Sequence, residues 1–336
     1  MSDTATLTKA TGARRGATVA FRTPGQFHRC WYPVALSSEI EAGQVVGAPF
    51  LDGRVVILRT ADGEPRVLSA YCRHLGVDLS LGRMVDDELE CPFHRWRYEG
   101  GGACVATASG DPAPKAARLF AYPTAESLGI IWAFNGEKAE YPVPRFTIDE
   151  EALAFEAFRN PVIMPLESSV VVLNAFDLQH FRVVHHMAID VDLDAVVKQD
   201  SCLDYVAQIE TEEFGAVTQQ RRLWGVNTVT VEGARQNGRP IYLMHGALPT
   251  GEAETRGFLV VATPRQTEAD SGDESSEQML ATARAFSLRL IEEDRPIFEG
   301  IRFRKDCLTG SDAFLAVGIH YLASFPQGHP GADFIR

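Results

Sequence analysis

The sequence of 336 residues lacks any long hydrophobic run. Apolar runs such as Val170–Leu173 are far shorter than the roughly 20 residues that cross a bilayer, so neither a membrane-spanning segment nor a membrane partner is expected. The first 21 residues contain no apolar core of signal-peptide length. We therefore expect a cytoplasmic protein in which residues 1–24 form a flexible tail.

Positive charge is also scarce, with 32 Lys and Arg against 45 Asp and Glu and a net charge of −13. Residues 1–145 hold 16 charges of each sign, whereas residues 146–336 hold 16 basic and 29 acidic residues. This balance argues against nucleic acid or an anionic membrane surface as a partner. The uneven distribution also indicates two parts of different composition.

Two further features are missing. No G-x-G-x-x-G motif follows a predicted strand, so no nucleotide-binding domain is expected. The six cysteines are scattered along the chain, which disfavours a disulfide framework. Two of them, Cys72 and Cys91, have histidines at short offsets.

Residues 72–98 place one cysteine and one histidine side by side in each of two short loops. The pattern is Cys72-x-His74, then sixteen residues, then Cys91-x-x-His94. A tetrahedral zinc site is one chemistry for two Cys and two His, although zinc ribbons more often repeat C-x-x-C. The mixed pairs instead resemble a Rieske [2Fe–2S] centre, in which two Cys hold one iron and two His the other. The resemblance implies a [2Fe–2S] cluster bound by these four residues.

Residues 174–185 contain a second pattern, Asn174-x2-Asp177-x2-His180-x4-His185. On a helix Asp177 and His180 share a face. His180 and His185 are five residues apart, so a π-bulge or a helix end between them is needed to bring both rings to one metal. His185 is preferred over its neighbour His186, which would point elsewhere on a regular helix. Two neutral His and one carboxylate form the facial triad of non-haem Fe(II) oxygenases.

Together the two motifs resemble the terminal oxygenase, or alpha subunit, of the Rieske non-haem iron oxygenases. The resemblance covers nearly the whole chain and is closest to the homo-oligomeric monooxygenase and demethylase members. It implies a mononuclear Fe(II) held by His180, His185 and a downstream carboxylate. It also implies that Asp177 is an electron bridge between subunits, linking His180 to His94, rather than a ligand. Asn174 is a candidate for tuning the iron site, with a buried amide satisfied by backbone as the alternative.

The carboxylate ligand is expected in a long amphipathic helix. Apolar residues recur at three- and four-residue spacing over residues 276–305. The family's acidic segment matches residues 291–299, and Asp294 occupies the matching ligand position. Pro296 is expected to disturb the helix near the site. Three other acids are fallback ligands: Glu293, Asp306 and Asp312.

The chain is predicted to be an α+β protein. Residues 25–145 are expected to form an antiparallel β Rieske domain, because short β-rich segments alternate with turn dipeptides. Residues 146–336 are expected to form a helix-grip catalytic domain, in which an antiparallel sheet packs under the long helix. Residues 266–277 are expected to be a mobile acidic loop. Four histidines are taken as surface or satisfied core residues rather than pocket groups: His28, His245, His320 and His329.

The resemblance implies an oxygenase component that uses O2 to hydroxylate or oxidatively demethylate a small organic substrate. Because no nucleotide-binding motif is present, NAD(P)H would act only indirectly, through a separate reductase or ferredoxin. A homotrimer is expected, since the two metal sites of one subunit lie far apart in this family. Two alternatives stay open: a cis-dihydroxylating dioxygenase, and a Rieske electron-transfer protein with a non-catalytic ligand-binding domain.

Overall fold

The computed structural model describes residues 21–211, 215–235, 238–251, 253–266 and 274–336. These residues form two compact units. One unit contains Gly25–Val143 and Gln327–Arg336, and the other contains Pro144–Pro326 together with the described residues of the N-terminal segment. The change from the Gly25–Val143 segment to the Pro144–Pro326 segment lies close to the expected domain boundary at residue 145.

The first unit is built from short antiparallel strands. They are β1 (Phe27–His28), β2 (Trp31–Leu36), β3 (Val45–Phe50), β4 (Gly53–Arg59), β5 (Pro65–Ser69), β6 (Arg83–Val85), β7 (Glu88–Glu90), β8 (Arg97–Tyr98), β9 (Cys104–Ala106), β10 (Ala121–Tyr122), β11 (Thr124–Ser127) and β12 (Ile130–Phe134). Three sheets have the strand orders β10-β5-β4-β3, β11-β12-β2 and β6-β7-β8-β9. The predicted antiparallel β domain is thereby confirmed.

A single large sheet dominates the second unit. Its strands are β13 (Leu153–Arg159), β14 (Ala188–Val191), β15 (Val197–Lys198), β16 (Cys202–Thr211), β17 (Gly215–Trp224), β18 (Thr228–Arg235), β19 (Ile241–Pro249) and β20 (Thr255–Pro264). The order is β13-β20-β19-β18-β17-β16-β14, with β15 beside β16, and all pairs are antiparallel. The helices are α1 (Ser168–Leu173), α2 (Leu178–Val183), α3 (Ser276–Gly300) and α4 (Ala313–Ser324).

Helix α3 packs on the sheet through an apolar stripe. Ala283 lies in a core cluster with Phe158 of β13 and with Leu259 and Val261 of β20. The helix begins where expected because Ser275 forms a capping box with Gln278. It ends at Gly300 rather than at residue 305, since Ile301 is extended and glycine is a weak helix former.

The expected disturbance at Pro296 is wrong in its extent. Helix α3 continues through Pro296 to Gly300. A proline removes one backbone donor, which here would have bonded to the carbonyl of Glu292. The helix tolerates this loss so close to its end.

The histidine segment is not one continuous helix. Helix α1 is followed by a 3-10 turn over Asn174–Phe176, and Asp177 then caps the start of α2. Helix α2 ends at Val183, between His180 and His185. Of the two geometries considered for bringing the rings together, the structure has the helix end.

The two chain ends depart from the expected boundaries. Strand β21 (Gln327–Gly328) pairs with β1, and helix α5 (Ala332–Ile335) buries Ile335 completely. The last ten residues therefore belong to the first unit rather than to the second, because these strand and core contacts hold them there. At the N-terminus, Phe21 is buried and Arg22 pairs with Glu167 at 3.7 Å, so a flexible tail does not extend to residue 24. Residues 1–20 of that expected tail lie outside the described residues.

Two other expectations touch on segments with gaps. Most of the acidic loop at residues 266–277 lies outside the described residues. Among the helices that the structure does describe, none combines the length and the apolar composition needed to cross a bilayer.

Candidate metal centres

The two Cys/His loops of the first unit share one backbone design. In each loop the cysteine carbonyl accepts a hydrogen bond from the residue four positions later, Gly76 at 2.9 Å from Cys72 and Arg95 at 3.2 Å from Cys91. Each cysteine N–H donates in turn to the carbonyl five positions later. Two similar loops therefore present one Cys and one His each.

The residue four positions after each cysteine has the left-handed conformation, with φ of 77° at Gly76 and 56° at Arg95. Glycine adopts this conformation without steric cost, whereas other residues do not. Arg95 adopts it with its side chain bonded to Glu90 at 2.7 Å. The positive φ explains the glycine at residue 76, and at residue 95 the contact with Glu90 holds the arginine side chain.

The donor atoms form two separate pairs. The sulfurs belong to buried residues and interact with each other, and this burial raises the pKa of the Cys91 thiol. The rings of His74 and His94 lie further out, with their Nδ1 atoms 3.1 Å apart. Two ligands of one tetrahedral metal ion, each about 2.1 Å from it, are about 3.4 Å apart, close to this separation. The imidazole pair thus fits two ligands of one iron.

The arrangement of the four donor atoms favours a two-iron group over a single zinc ion. Four ligands of one tetrahedral zinc would all lie about 3.4 to 3.8 Å from one another. In the described residues, no three members of this Cys/His set bring their donor atoms within 4.8 Å of one another. Two separate donor pairs instead suit the two irons of a [2Fe–2S] cluster.

The Tyr98 hydroxyl is placed to act on the sulfur pair. It lies 3.1 Å from Cys72 Sγ and accepts a hydrogen bond from the Arg73 backbone N–H, also at 3.1 Å. Burial, with Cys72 beside it, raises the pKa of Tyr98 well above its usual value. The phenol therefore keeps its proton and donates to a Cys72 thiolate.

In the second unit the structure brings His180, His185 and Asp294 together. His180 Nε2 is 2.9 Å from His185 Nε2 and 2.9 Å from Asp294 Oδ1, and the third separation, from His185 Nε2 to Asp294 Oδ1, is 3.3 Å. These edges match ligands at right angles about 2.1 Å from one metal ion. Asp294 Oδ1 is buried without a well-directed hydrogen bond, as expected of an oxygen that binds a metal.

The pKa shifts in the triad show that its carboxylates favour positive charge at this point. Burial raises the pKa of Asp294, but its contacts with His180 and His185 outweigh burial and lower the pKa overall. Burial lowers the pKa of His185, and its contacts with Asp294 and Glu293 more than reverse this. The carboxylate is therefore ionised and ready to bind a metal.

Two side chains orient these ligands. Glu293 Oε2 accepts a hydrogen bond from His185 Nδ1 at 2.7 Å, on the far side of the ring from the triad. Asn174 Nδ2 lies 3.1 Å from Asp294 Oδ2 and 2.9 Å from His180 Nε2. Partners of this kind hold ligating side chains in place. The sequence offers Glu293 as a fallback ligand. In the structure Glu293 contacts the ring of His185 and is not one of the three donor groups that face one another.

The remaining candidates lie apart from the triad. Asp306 is exposed, Asp312 accepts hydrogen bonds from Thr309 and Gln179, and His186 is exposed with φ of 54°. Asp177 Oδ1 accepts from the backbone N–H of His180 at 2.9 Å rather than from its ring. Its Oδ2 accepts no hydrogen bond from the described residues and is free to meet another partner.

A cavity of about 250 Å³ opens beside the triad and is lined by His185 and Asp294. Its walls are mostly apolar side chains from the sheet, from α1 and α2, and from α3, among them Val171, Phe181, Ile209, Leu243, Phe286 and Leu290. Such a largely apolar cavity with a few polar groups is typical of a small-molecule site.

Sequence reasoning missed two polar residues of the cavity, Arg221 and His245. Burial, with the positive charge of Arg221 nearby, lowers the pKa of His245 to about 4 and keeps the ring neutral. His245 had been set aside as a surface or core residue. The missed clue was polar residues at alternate positions of β17, where Gln219 and Arg221 share the inward face with Val217.

Comparison with known proteins agrees with this geometry. Residues 30–123 match the family model described as Rieske [2Fe-2S] domain. A 3-ketosteroid-9-alpha-monooxygenase oxygenase component from Rhodococcus rhodochrous is 31% identical over 167 residues, which are 48% of this chain and 44% of that protein. Cholesterol 7-desaturase nvd from Bombyx mori is 29% identical over 189 residues, 56% of this chain and 41% of that protein. The matches span less than half the length of these curated relatives.

Solved structures share the fold over most of the chain. NdmA from Pseudomonas putida CBB5 with caffeine has a TM-score of 0.68 at 20% identity, covering 87% of this chain and 88% of that one. Dicamba monooxygenase bound to dicamba has a TM-score of 0.63 at 20% identity, covering 92% and 98%. The chain therefore has a Rieske [2Fe–2S] domain at residues 30–123, and it shares the overall fold of NdmA and dicamba monooxygenase.

Proposed function

We propose that this chain is the terminal oxygenase component of a Rieske-type oxygenase system, which hydroxylates or oxidatively demethylates an organic substrate. The observation that carries the proposal is the triangle of His180, His185 and Asp294 beside an apolar cavity, in a chain that also has a Rieske domain. The relatives named as monooxygenase components support it.

Four residues would hold the cluster and three the mononuclear iron. Cys72, Cys91, His74 and His94 supply the two donor pairs of the cluster. His180, His185 and Asp294 supply three neighbouring positions of the iron. When bound, the cluster supplies single electrons and the iron activates O2.

The residues around the triad have three tasks. Glu293 fixes the ring of His185, and Asn174 contacts both Asp294 and His180, so the three donor atoms keep their spacing. The apolar walls exclude water and hold a hydrophobic substrate beside the triad. The imidazoles of the two Rieske loops are partly exposed to solvent. Electrons from a separate ferredoxin or NAD(P)H-dependent reductase would enter the cluster on this side.

The assembly proposed is a homotrimer in which Asp177 connects two subunits. Asp177 Oδ1 is committed to the His180 backbone, while Oδ2 is available to a histidine of a neighbouring chain. Through this contact His94 of one subunit would lie near His180 of the next. A polar bridge of this kind shortens the path that an electron must cross.

A Rieske electron-transfer protein with a non-catalytic ligand-binding domain is the competing function. Such a protein has no need of three metal donors on one side of its cavity. The triad, whose donor atoms lie 2.9 to 3.3 Å apart, therefore favours the enzyme.

An oxygen-uptake assay tests the proposed function. The loaded protein is mixed with NADH, a surrogate reductase and ferredoxin, and candidate substrates that include 3-ketosteroids, N-methylxanthines and methoxybenzoates. We expect substrate-dependent O2 uptake with one oxygen atom of labelled O2 released as water. The other atom appears in the hydroxylated product or, in a demethylation, in the released formaldehyde, whereas two labelled atoms in one product would indicate cis-dihydroxylation. Reduction of the cluster by the partner with no substrate-dependent uptake would favour the electron-transfer alternative.

A further inference from the structure

A buried arginine lies in the wall of the cavity beside the triad. Arg221 is 6% exposed and is held on the central strand β17, opposite Tyr205 of β16 and Val231 of β18. Along β17 the residues Val217, Gln219 and Arg221 all line the cavity, because alternate side chains of a strand point to one face. The guanidinium therefore belongs to the cavity and not to the outer surface of the sheet.

The contacts of Arg221 in the described part of the chain are all to neutral groups. Gln219 Oε1 accepts from Nε at 2.9 Å and from Nη2 at 2.7 Å. The guanidinium carbon lies 5.1 Å from the ring centre of Phe181, and the Tyr205 hydroxyl interacts with the charge. No carboxylate of the described residues forms an ion pair with this arginine.

The next residue shows what a paired arginine looks like on the same strand. Arg222 faces the opposite side of β17 and binds both carboxylate oxygens of Asp204. Among the described residues that line the cavity, the other ionised side chain is Asp294, whose oxygen faces His180 and His185. Arg221 is thus a buried cation whose protein partners leave its charge unmatched.

A buried charge without a partner of opposite charge costs free energy. The hydrogen-bond donors of the arginine indicate which partner would fit. Buried charges in proteins are normally paired or bind an ion. A guanidinium carries five N–H donors, of which Gln219 takes two and the Tyr205 hydroxyl contacts another. The remaining donors suit an oxyanion, and the fork geometry of arginine fits a carboxylate in particular.

We propose that Arg221, positioned by Gln219, anchors a carboxylate group of the substrate. The substrate class is an otherwise hydrophobic carboxylic acid, because the rest of the cavity wall is largely apolar. The acid end binds at β17 and the apolar body extends toward the triad, where His185 and Asp294 line the same cavity. This assignment rests on the proposed function only in treating the bound acid as a substrate. Binding of the acid at Arg221 can be tested without turnover.

The test measures binding to the loaded protein under anaerobic conditions by isothermal titration calorimetry. The probes are benzoate, 1-naphthoate, 2-naphthoate, cyclohexylacetate and octanoate, each compared with its primary amide, which has the same shape and no charge. We expect at least one acid to bind about 10- to 100-fold more tightly than its amide, the range for a hydrogen bond to a charged group. In Arg221→Gln this preference should disappear, and in Arg221→Lys it should be reduced.

Arg222→Gln is the matched control, because it removes a charge from the same strand on the other side of the sheet. It should keep the preference of the unchanged protein for acid over amide. The comparison of acid with amide in the unchanged protein stands even if an Arg221 variant fails to fold.

Three results would overturn the proposal: no probe acid bound more tightly than its amide, an undiminished preference in folded Arg221→Gln, or turnover confined to neutral substrates. The second result would leave Arg221 with the structural task of supporting Phe181. Acid binding at Arg221 without oxygen uptake would refute the proposed function and keep this site. Turnover confined to neutral substrates would do the reverse.

Discussion

At the scale of single residues, one phenol adjoins the sulfur side of the Rieske site. The Tyr98 hydroxyl lies 3.1 Å from Cys72 Sγ, and its raised pKa keeps the proton on the phenol, so it would donate to a metal-bound Cys72 thiolate. Hydrogen bonds to the sulfurs stabilise the reduced, more negative cluster and raise its reduction potential. Tyr98 is thus placed to set how readily the cluster accepts an electron.

We expect Tyr98→Phe to lower the reduction potential of the cluster by tens of millivolts. A shift of this order is expected when one charge-assisted hydrogen bond is lost that is stronger in the reduced cluster than in the oxidised cluster. Protein-film voltammetry measures this shift directly. Tyr122→Phe is the control, because Tyr122 is a buried tyrosine of the same unit whose hydroxyl has no hydrogen-bond partner among the described residues. An equal potential in the Tyr98 and Tyr122 variants would show that this contact has no electronic role.

At the scale of elements, the short helix α2 connects the iron ligands to the proposed electron bridge. Asp177 is its N-cap, and the Asp177 carboxylate binds the backbone of His180. Asparagine caps helices about as well as aspartate does. Replacing Asp177 by Asn therefore keeps the helix start and removes only the charge.

We expect Asp177→Asn to retain both metal centres and to lose turnover by about 10- to 100-fold or more, as for other groups that orient a ligand. Iron content and substrate-dependent oxygen uptake are measured together. Asp192→Asn is the control, since Asp192 caps another short helix by the same kind of side-chain contact. Unchanged turnover in the Asp177 variant would remove the bridge from the account.

The elements also show where sequence reasoning succeeds and where it stops. The start of α3 was predictable because the apolar spacing and the Ser275–Gln278 cap are both local. The end of α2 at Val183 remained one of two possibilities, since the five-residue spacing of the histidines allows either. The inward burial of Arg221 could not be inferred, because the face of a strand that becomes the cavity depends on its neighbours in the sheet.

At the scale of the whole chain, contacts between segments far apart in the sequence could not be predicted. Strand β21 pairs with β1, and Ile335 is buried in the first unit, although these segments lie at opposite ends of the chain. The β-rich segments, the amphipathic pattern of the long helix and the family resemblance, in contrast, were enough to predict a β domain followed by a sheet-and-helix domain. Short motifs identify metal chemistry because the ligands need fixed spacing, whereas contacts between distant segments have no such local requirement.

The charge asymmetry of the chain also acquires a partial explanation. Asp177, Glu293 and Asp294 of the acidic second half surround the histidine pair, and each contacts a proposed ligand or is one. A few carboxylates therefore belong to the proposed iron site.

The central claim is that one chain holds a [2Fe–2S] cluster and a separate iron on His180, His185 and Asp294. The most direct measurement is the iron and acid-labile sulfide content of the unchanged protein, Asp294→Ala and Asp306→Ala, with the electron paramagnetic resonance spectrum of the reduced cluster. We predict about three iron and two sulfide per chain for the unchanged protein and for Asp306→Ala. Asp294→Ala should keep the cluster spectrum and both sulfides but lose one iron. Full iron retention in Asp294→Ala, or zinc in place of iron in the unchanged protein, would contradict the account.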